Sequence, residues 1–260
     1  MIRRHLGAYL SCLAVGLSLA LLLSVAIVPA SAASVLISVS GFDPENPGNE
    51  ATSMSMDYPV AVNAEDDTFY YIGGFGGVTT PWELVINHLS GDLDPFTDLN
   101  FTMKNNTGVT LQYLVSITLP TGPLGPSTLH GGSAGGSVTD ANFSGSATVS
   151  TIGGGVPFYR GVYDGALQLP IHPDPSAWVA PPGGTTNIPA VTVGLNGFAY
   201  PTIPAGPVVA TIGIVHEFKL TAGDSMGATS NFRVEIVPEP AACVLAICGL
   251  FTTAGLRRRS

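Results

Sequence analysis

Apolar and polar residues alternate over short stretches of this chain, and glycine or proline separates the stretches. Every second residue along 111–119 is apolar, and the same period of two recurs around Phe218 and Phe232. A period of two places alternate side chains on opposite faces of a β-strand. The 260 residues include 32 glycines and 21 prolines, which break helices. The pattern predicts an all-β protein and excludes a long helical bundle.

The alternation is repeated often enough to build two sheets. The predicted strands cover residues 35–42, 54–62, 68–72, 82–88, 99–104, 110–119, 147–152, 158–163, 191–200, 208–215, 216–220 and 232–236. Many short strands with turns every ~8 to 12 residues are typical of a sandwich. We therefore predict one domain, a jelly-roll-like β-sandwich over residues 34–237.

Turn residues predict how some of these strands are connected. Residues 105–108, Asn-Asn-Thr-Gly, lie between two alternating stretches and predict a hairpin loop, and Asn196-Gly197 suits a type I′ turn. Residues 122–136 and 170–189 are rich in glycine, proline and serine. We interpret both as long surface loops.

The first 33 residues have the three parts of an export signal. Arg3 and Arg4 form a basic start, an uncharged apolar run of 23 residues follows, and Ala30 and Ala32 form a small-x-small cleavage site for signal peptidase. We expect residues 1–33 to form a signal helix that is removed on export. Because the apolar run is long, an uncleaved membrane anchor is the alternative.

A second apolar segment follows the body and is also flanked by recognisable residues. Its three parts are the motif Pro238, Glu239 and Pro240; the uncharged residues 241–256; and the basic cluster Arg257, Arg258 and Arg259. Sixteen helical residues span about 24 Å, and the flanking arginines can extend to lipid head groups. The positive-inside rule keeps the arginines cytoplasmic and the body outside. We predict a transmembrane helix over 241–256.

Residues 238–260 resemble the C-terminal sorting signal of the PEP-CTERM family of exported bacterial proteins. The resemblance implies recognition by an exosortase, a transient membrane anchor, removal of the tail, and transfer of the body to the cell surface or an exopolysaccharide matrix. It covers only the tail and implies no chemistry for the body. The alternative is an ordinary tail anchor that is never cut. The Leu-Pro-x-Thr-Gly motif of sortase substrates does not occur.

The body is acidic and contains no cysteine. Residues 34–237 carry four basic and 17 acidic side chains, and Cys12, Cys243 and Cys248 all lie in the terminal segments. Such a charge repels phosphate backbones, so no nucleic-acid partner is expected. The absence of thiols in the body excludes disulfides, thiolate metal sites and a cysteine nucleophile there.

Short alternating spacing of carboxylates predicts one metal site. Asp92, Asp94 and Asp98 present oxygen ligands of the kind that calcium prefers, although Pro95 interrupts the twelve-residue calcium-loop pattern. Solvated turn residues are the alternative interpretation. A structural calcium ion is the only cofactor that the sequence suggests.

Aromatic residues suggest a surface for sugars. Trp178 lies among several prolines, and we expect its ring to be exposed and able to stack on a sugar. Trp82 is in phase with Leu84 and Ile86, so we expect it in the core.

One motif suggests a hydrolase. Residues 131–135 match the Gly-x-Ser-x-Gly nucleophile elbow at Ser133, and Asp140 and then His172 or His216 follow in hydrolase order. An elbow needs a strand before it and a helix after it, and no helical periodicity follows. We therefore predict no catalytic residues and no enzyme. His88 and His216 are in phase with apolar neighbours, and we expect both at core or strand-end positions.

Together these patterns predict an exported protein with a structural or adhesive role at the cell surface or in a matrix. Its expected partners are signal peptidase, an exosortase, the membrane through the tail helix, and exopolysaccharide. A carbohydrate-binding module is the second hypothesis, and a secreted hydrolase is the third.

Overall fold

The computed structural model describes the body of the chain, with several gaps. The described residues are 34–45, 50–59, 68–71, 75–78, 81–92, 95–143, 145–196 and 200–237. They form strands, turns and irregular segments and include no helix. Within these ranges there is accordingly no helix long and apolar enough to cross a membrane. The all-β class predicted from the alternation is confirmed.

The described part of the chain contains eighteen strands. They are β1 Ser34–Phe42, β2 Glu50–Pro59, β3 Thr68–Tyr71, β4 Phe75–Val78, β5 Trp82–Asp92, β6 Phe96–Asn105, β7 Leu111–Pro120, β8 Thr128–Thr139, β9 Ala147–Ser150, β10 Tyr159–Tyr163, β11 Ala166–Ile171, β12 Ala177–Ala180, β13 Thr185–Val193, β14 Leu195–Asn196, β15 Tyr200–Pro201, β16 Ile203–Ala205, β17 Thr211–Leu220 and β18 Ser225–Ile236.

These strands form two large antiparallel sheets and one small hairpin. The first sheet has the order β11-β10-β17-β7-β1-β2, with β9 paired to β17 and β12 paired to β9. The second sheet has the order β13-β8-β18-β6-β5-β3, with β16 paired to β8 and β4 paired to β5. The hairpin is β14-β15. The last two long strands, β17 and β18, lie within different sheets.

The inner faces of the two sheets share one core. Along β7 the side chains of Tyr113, Val115 and Ile117 are buried, as the period of two predicts. The ring of Phe101 in β6 of the second sheet lies 5.2 Å, centroid to centroid, from the ring of His216 in β17 of the first. This packing is that of a β-sandwich. Burying each large apolar side chain contributes about 1.5–3 kcal/mol.

The prediction of a surface loop over residues 122–136 is wrong over most of its length. Residues 128–139 form β8, which pairs with β18 and β13 inside the second sheet. Its glycines are required by close packing. A Cβ atom at Gly136 would lie 2.1 Å from the carbonyl oxygen of Gly227, and one at Gly132 would lie 2.5 Å from that of Asn231. The glycines that suggested a loop therefore permit a strand with crowded neighbours.

The prediction of a loop over residues 170–189 is also wrong in part. The segment contains β12 and the beginning of β13. Strand β13 is the terminal strand in the order of the second sheet, and its register shifts between Ile188 and Val191, next to Pro189. Proline is tolerated at such edge and bulge positions because it has no N–H to donate. Proline content alone therefore did not exclude a strand.

The turn at residues 105–108 joins two sheets and does not form the predicted hairpin. Strand β6 before it belongs to the second sheet, and β7 after it belongs to the first. The side-chain amide of Asn105 donates to the carbonyl oxygens of Val109, Leu220 and Thr221 at 2.8, 3.0 and 3.1 Å. These bonds fix the chain reversal between the sheets.

Candidate functional site

The outer face of the second sheet carries two hydrogen-bonded groups of amide and hydroxyl side chains. The amide nitrogen of Asn87 donates to the Asn100 Oδ1 at 2.9 Å, and that of Asn100 donates to the Thr229 hydroxyl at 2.6 Å. In the same face, the Asn231 amide donates to the Ser133 hydroxyl at 2.8 Å. We call these five residues the polar row. They alternate along their strands with core positions and therefore point away from the core.

The polar row ends at a groove where β13 separates from β8. The bulge in β13 takes Pro189 and Ala190 out of register with β8. The groove has a volume of about 440 Å³ and lies between residues 133–136 of β8 and residues 187–190 of β13, with Thr229 beside it. This volume is in the range of small-ligand sites. Hydroxyl and amide groups at a concave surface can hydrogen-bond a polyhydroxylated ligand.

Ser133, the serine of the hydrolase motif, lies in this groove but within a continuous strand. Residues 131–135 are in the middle of β8 and are not at a turn from a strand to a helix. The hydroxyl of Ser133 accepts a hydrogen bond from Asn231, whereas His216 contacts Ser230 and Asp140 accepts from the N–H of Gly183. The geometry does not assemble these residues into a triad.

His172, one of the two histidines that follow Ser133 and Asp140 in hydrolase order, lies at the base of the bulge. Its Nε2 atom is 3.3 Å from the carbonyl oxygen of Ala134 in β8, and its ring also makes a hydrogen bond to the carbonyl group of Pro189 in β13. Burial lowers the pKa of His172, although the two carbonyl groups partly oppose this shift. A neutral imidazole has one N–H, so it donates to only one of these two carbonyl groups at a time. The ring lies between the two strands where the ladder between them is interrupted.

His216 lies in the centre of the core. Its side chain is fully buried, and its Nε2 atom is 2.9 Å from the Ser230 hydroxyl. Burial lowers the pKa of His216 to about 3, and the neighbouring His172 adds to the effect. His216 is therefore neutral at physiological pH. The predicted core position of His216 is confirmed, whereas His88 is half-buried with its Nε2 atom 3.0 Å from the Ser90 hydroxyl.

Trp178, the candidate for sugar stacking, packs partly against the core. Its ring centroid lies 5.5 Å from that of Phe158 and 5.0 Å from that of His172, both edge-to-face. The side chain is half-buried, in contrast to the exposed ring that its proline-rich surroundings suggested. Its role in sugar binding stays a prediction. The predicted core position of Trp82 is confirmed, since it is 0% exposed.

Two of the three predicted calcium ligands lie in the described part of the chain. Asp98 pairs with Ser90 and Asp92 pairs with Phe96 in the β5–β6 register, which places both carboxylates on the same face; Asp94 lies outside the described residues. Burial raises the pKa of Asp98, while the charges of Arg233 and His88 lower it. Across the described ranges, no group of three or more His, Cys, Asp or Glu side chains could hold a metal ion. The calcium site stays a prediction.

The terminal signals lie outside the described residues. These include the predicted cleavage site at Ala30 and Ala32, the Pro-Glu-Pro motif, and the arginine cluster. The last described residue is Val237, whose N–H donates to the carbonyl oxygen of Ser127 at 3.0 Å. The last residue before Pro238 is thus hydrogen-bonded to the body.

Two features of the site were not found in the sequence. The groove depends on a bulge, which has no sequence signature in residues 187–190 beyond the proline. Asp140 and Asp224, whose carboxyl groups contact each other, are far apart in the chain. The sequence suggested Asp140 only as a member of a hydrolase motif and gave no reason to pair it with Asp224.

In comparisons with known proteins, no family matches the chain and no curated protein matches it significantly.

Proposed function

We propose that this protein is an exported β-sandwich that an exosortase processes at its C-terminal tail and that has a structural or adhesive role at the cell surface or in an exopolysaccharide matrix. The observation that carries the proposal is the order of three segments: the Pro-Glu-Pro motif from Pro238, the uncharged residues 241–256, and the arginines from Arg257. A cleavable signal over residues 1–33 supplies the route of export.

The end of the fold supports a cut at the Pro-Glu-Pro motif. Strand β18 ends at Ile236, and Val237 makes the last hydrogen bond of the described chain, to Ser127. Pro238 follows directly, and two prolines around Glu239 favour an extended, accessible backbone. Cleavage there would break no hydrogen bond of the described sheets.

The position of β18 supports a role under mechanical load. The strand lies between β8 and β6, and it pairs with β8 over all of its 12 residues, Ser225–Ile236. A body attached through the residues after β18 transmits tension first into the ladder with β8 and, from Arg233 onward into the strand, also into the ladder with β6. The core beneath them supplies cohesion without any disulfide, because the body has no cysteine. A jelly-roll-like connectivity is the finer form of the fold that we propose.

Expression of the full chain in a bacterium with an exosortase tests the proposal. The chain should appear as a shortened product, and the same chain in a strain without the exosortase gene should keep its tail. Replacing Arg257, Arg258 and Arg259 together by serine should leave the precursor uncut or misoriented, because the positive charges fix the tail in the membrane. A product of unchanged mature mass from this variant would refute a role for the cluster.

Carbohydrate binding is a second candidate function, and the groove favours it. The polar row leads into a concave surface of about 440 Å³ that is bordered by Asn187 and Thr229. A glycan array with the full chain in detergent tests this candidate. Asn187→Ala, in the groove, should weaken any binding, whereas Thr192→Ala, exposed on the same strand, should not. Binding that is unchanged in the first variant, or no binding at all, would contradict it.

A further inference from the structure

Two carboxyl groups meet at one end of the sandwich. Asp140 directly follows β8, and Asp224 directly precedes β18. The two residues are 2% and 3% exposed, and their side chains lie in hydrogen-bonding contact with each other. Three connections converge here: the loop after β8, the loop before β13 and the turn before β18.

Asp140 is surrounded by N–H donors. The N–H of Gly183 donates to Asp140 Oδ2 at 2.7 Å, and the N–H groups of Phe143 and Asn142 also act on the carboxylate. The hydrogen bond from Gly183 is the largest of the effects that lower the pKa of Asp140. This environment stabilises the ionised form.

The environment of Asp224 shifts its pKa in the opposite direction. Its Oδ2 atom accepts a hydrogen bond from the Thr221 hydroxyl, and the N–H of Ala141 also interacts with it. Burial nevertheless raises the pKa of Asp224, and the charge of Asp140 raises it further. A single proton on the pair is therefore held by Asp224 and not by Asp140.

Each carboxyl group has one oxygen that lacks a partner. The Oδ1 atoms of Asp140 and Asp224 are both buried, and neither has a hydrogen-bond donor among the described residues. Ionised carboxylates only accept hydrogen bonds, so two that touch repel each other and leave these oxygens unsatisfied. A single proton on one carboxyl group makes it a donor to the other.

A proton fits this pair better than a metal ion does. Calcium takes six to eight oxygen ligands. Here two carboxylates face each other, and N–H or hydroxyl donors already occupy their other oxygens. We propose that Asp140 and Asp224 share one proton and form a latch that holds the loop after β8 against the turn before β18.

Each carboxyl group is the main charged partner of the other. The loop before β13 contributes Pro181, Pro182 and two glycines, none of them charged. Lys104 is opposite Ser225 in the β6–β18 register but is exposed, and Lys219 in β17 acts on Asp174. Among the described residues, no other charged side chain contributes to the pKa shift of either carboxyl group.

The latch has a defined pH range. With the pKa of Asp140 below 3.8 and that of Asp224 above it, the singly protonated pair is most populated between the two values. Its contribution to stability is lost when the pH rises through the raised pKa of Asp224, because both groups are then charged. It is also lost when the pH falls through the lowered pKa of Asp140.

Two matched substitutions test the latch in the full-length chain, purified in mild detergent. Asp224→Asn mimics the protonated member, since its oxygen can accept from Thr221 while its N–H₂ group donates to Asp140. We expect this variant to raise the thermal unfolding midpoint at pH 7 by about 2–4 °C. Asp140→Asn should lower the midpoint, because it weakens the acceptor of the Gly183 N–H.

The control is Asp164→Asn. Asp164 accepts hydrogen bonds from the N–H groups of Val209, Ala210 and Thr211 at 2.7, 2.8 and 3.0 Å and has no carboxyl partner among the described contacts. Asp164→Asn should lower the stability of the protein, because the three N–H groups lose a charged acceptor. A gain of stability at Asp224 alone would therefore show that the pair needs one neutral, hydrogen-bond-donating member, as the shared proton provides.

Two results would overturn the proposal. One is a loss of stability in Asp224→Asn at pH 7 comparable to that in Asp140→Asn. The other is stabilisation of the unmodified chain by millimolar calcium that Asp224→Asn abolishes, which would make the pair a cation site. Carboxyl ¹³C titration of the unmodified chain gives an independent measurement. One resonance should titrate below pH 3.8 and one above it, and two uncoupled titrations near 3.8 would refute the latch.

Discussion

The imidazole of His216 and the hydroxyl of Ser230 lie 2.9 Å apart inside the core and connect the two sheets of the sandwich. His216 is in β17 of the first sheet, and Ser230 is in β18 of the second. The rings of Phe101, Phe158 and Tyr159 surround the imidazole at centroid distances of 5.2 to 5.3 Å. A polar contact is thus enclosed by aromatic rings, which favours a neutral histidine.

The first prediction concerns acid stability. The pKa of His216 is about 3 in the folded protein and 6.5 without burial, so the unfolded chain binds this proton first. Stability should therefore fall as the pH drops below 6.5, by roughly 1 kcal/mol per pH unit from this group. Urea unfolding of the full-length chain between pH 4 and 7 measures the slope.

The control for acid stability removes both partners. The double variant His216→Leu, Ser230→Ala replaces the polar pair by apolar groups and leaves no unpaired partner. Its stability should depend less steeply on pH than that of the unmodified chain. Equal slopes in the two proteins would show that His216 is not a buried neutral histidine.

The second prediction concerns the glycines of β8. Gly136→Ala should reduce the free energy of unfolding by about 1–3 kcal/mol, because the new methyl group would lie 2.1 Å from the Gly227 carbonyl oxygen. Gly108→Ala is the matched control, since a Cβ atom there meets nothing within 4 Å. If urea unfolding shows the two variants to be equally stable, β8 is not packed as described.

The third prediction concerns the connection between the sheets. Asn105→Ala should destabilise the protein by about 1–3 kcal/mol, because three buried or partly buried carbonyl groups lose their amide donor. Asn106→Ala changes an exposed neighbour and should have little effect. Comparable losses in the two variants would contradict the role of Asn105 in fixing the chain reversal.

The strands with clear alternation were predictable from the sequence. Residues 110–119 predicted β7 almost to the residue, and the alternation around Phe232 predicted the end of β18. The same reasoning placed Trp82 in the core. In these stretches the period of two reports burial on one face, so local sequence and tertiary packing agree.

Other parts of the fold depend on contacts between distant segments. The glycines of β8 have the composition of a loop, and only the crowding by Gly227 and Asn231 explains why a strand needs them. Predicted strands 208–215 and 216–220 largely merge into the single strand β17, because β7 pairs with its whole length. Contacts between segments that are far apart in the chain cannot be read from the local sequence.

The candidate site was the least predictable part for the same reason. The groove arises where β13 loses register with β8, and the latch arises where Asp140 meets Asp224. Neither involves neighbours in the sequence. Trp178 illustrates the converse case, since its local surroundings suggested exposure while Phe158 and His172 partly cover it.

The intact mass of the protein isolated from its native cells tests the central proposal most directly. Export and exosortase processing predict a product that has lost residues 1–33 and the tail from the Pro-Glu-Pro motif onward, with any attached group added to the mass of the body. Recovery of the unprocessed 26.7 kDa chain from the cytosol would contradict the proposal.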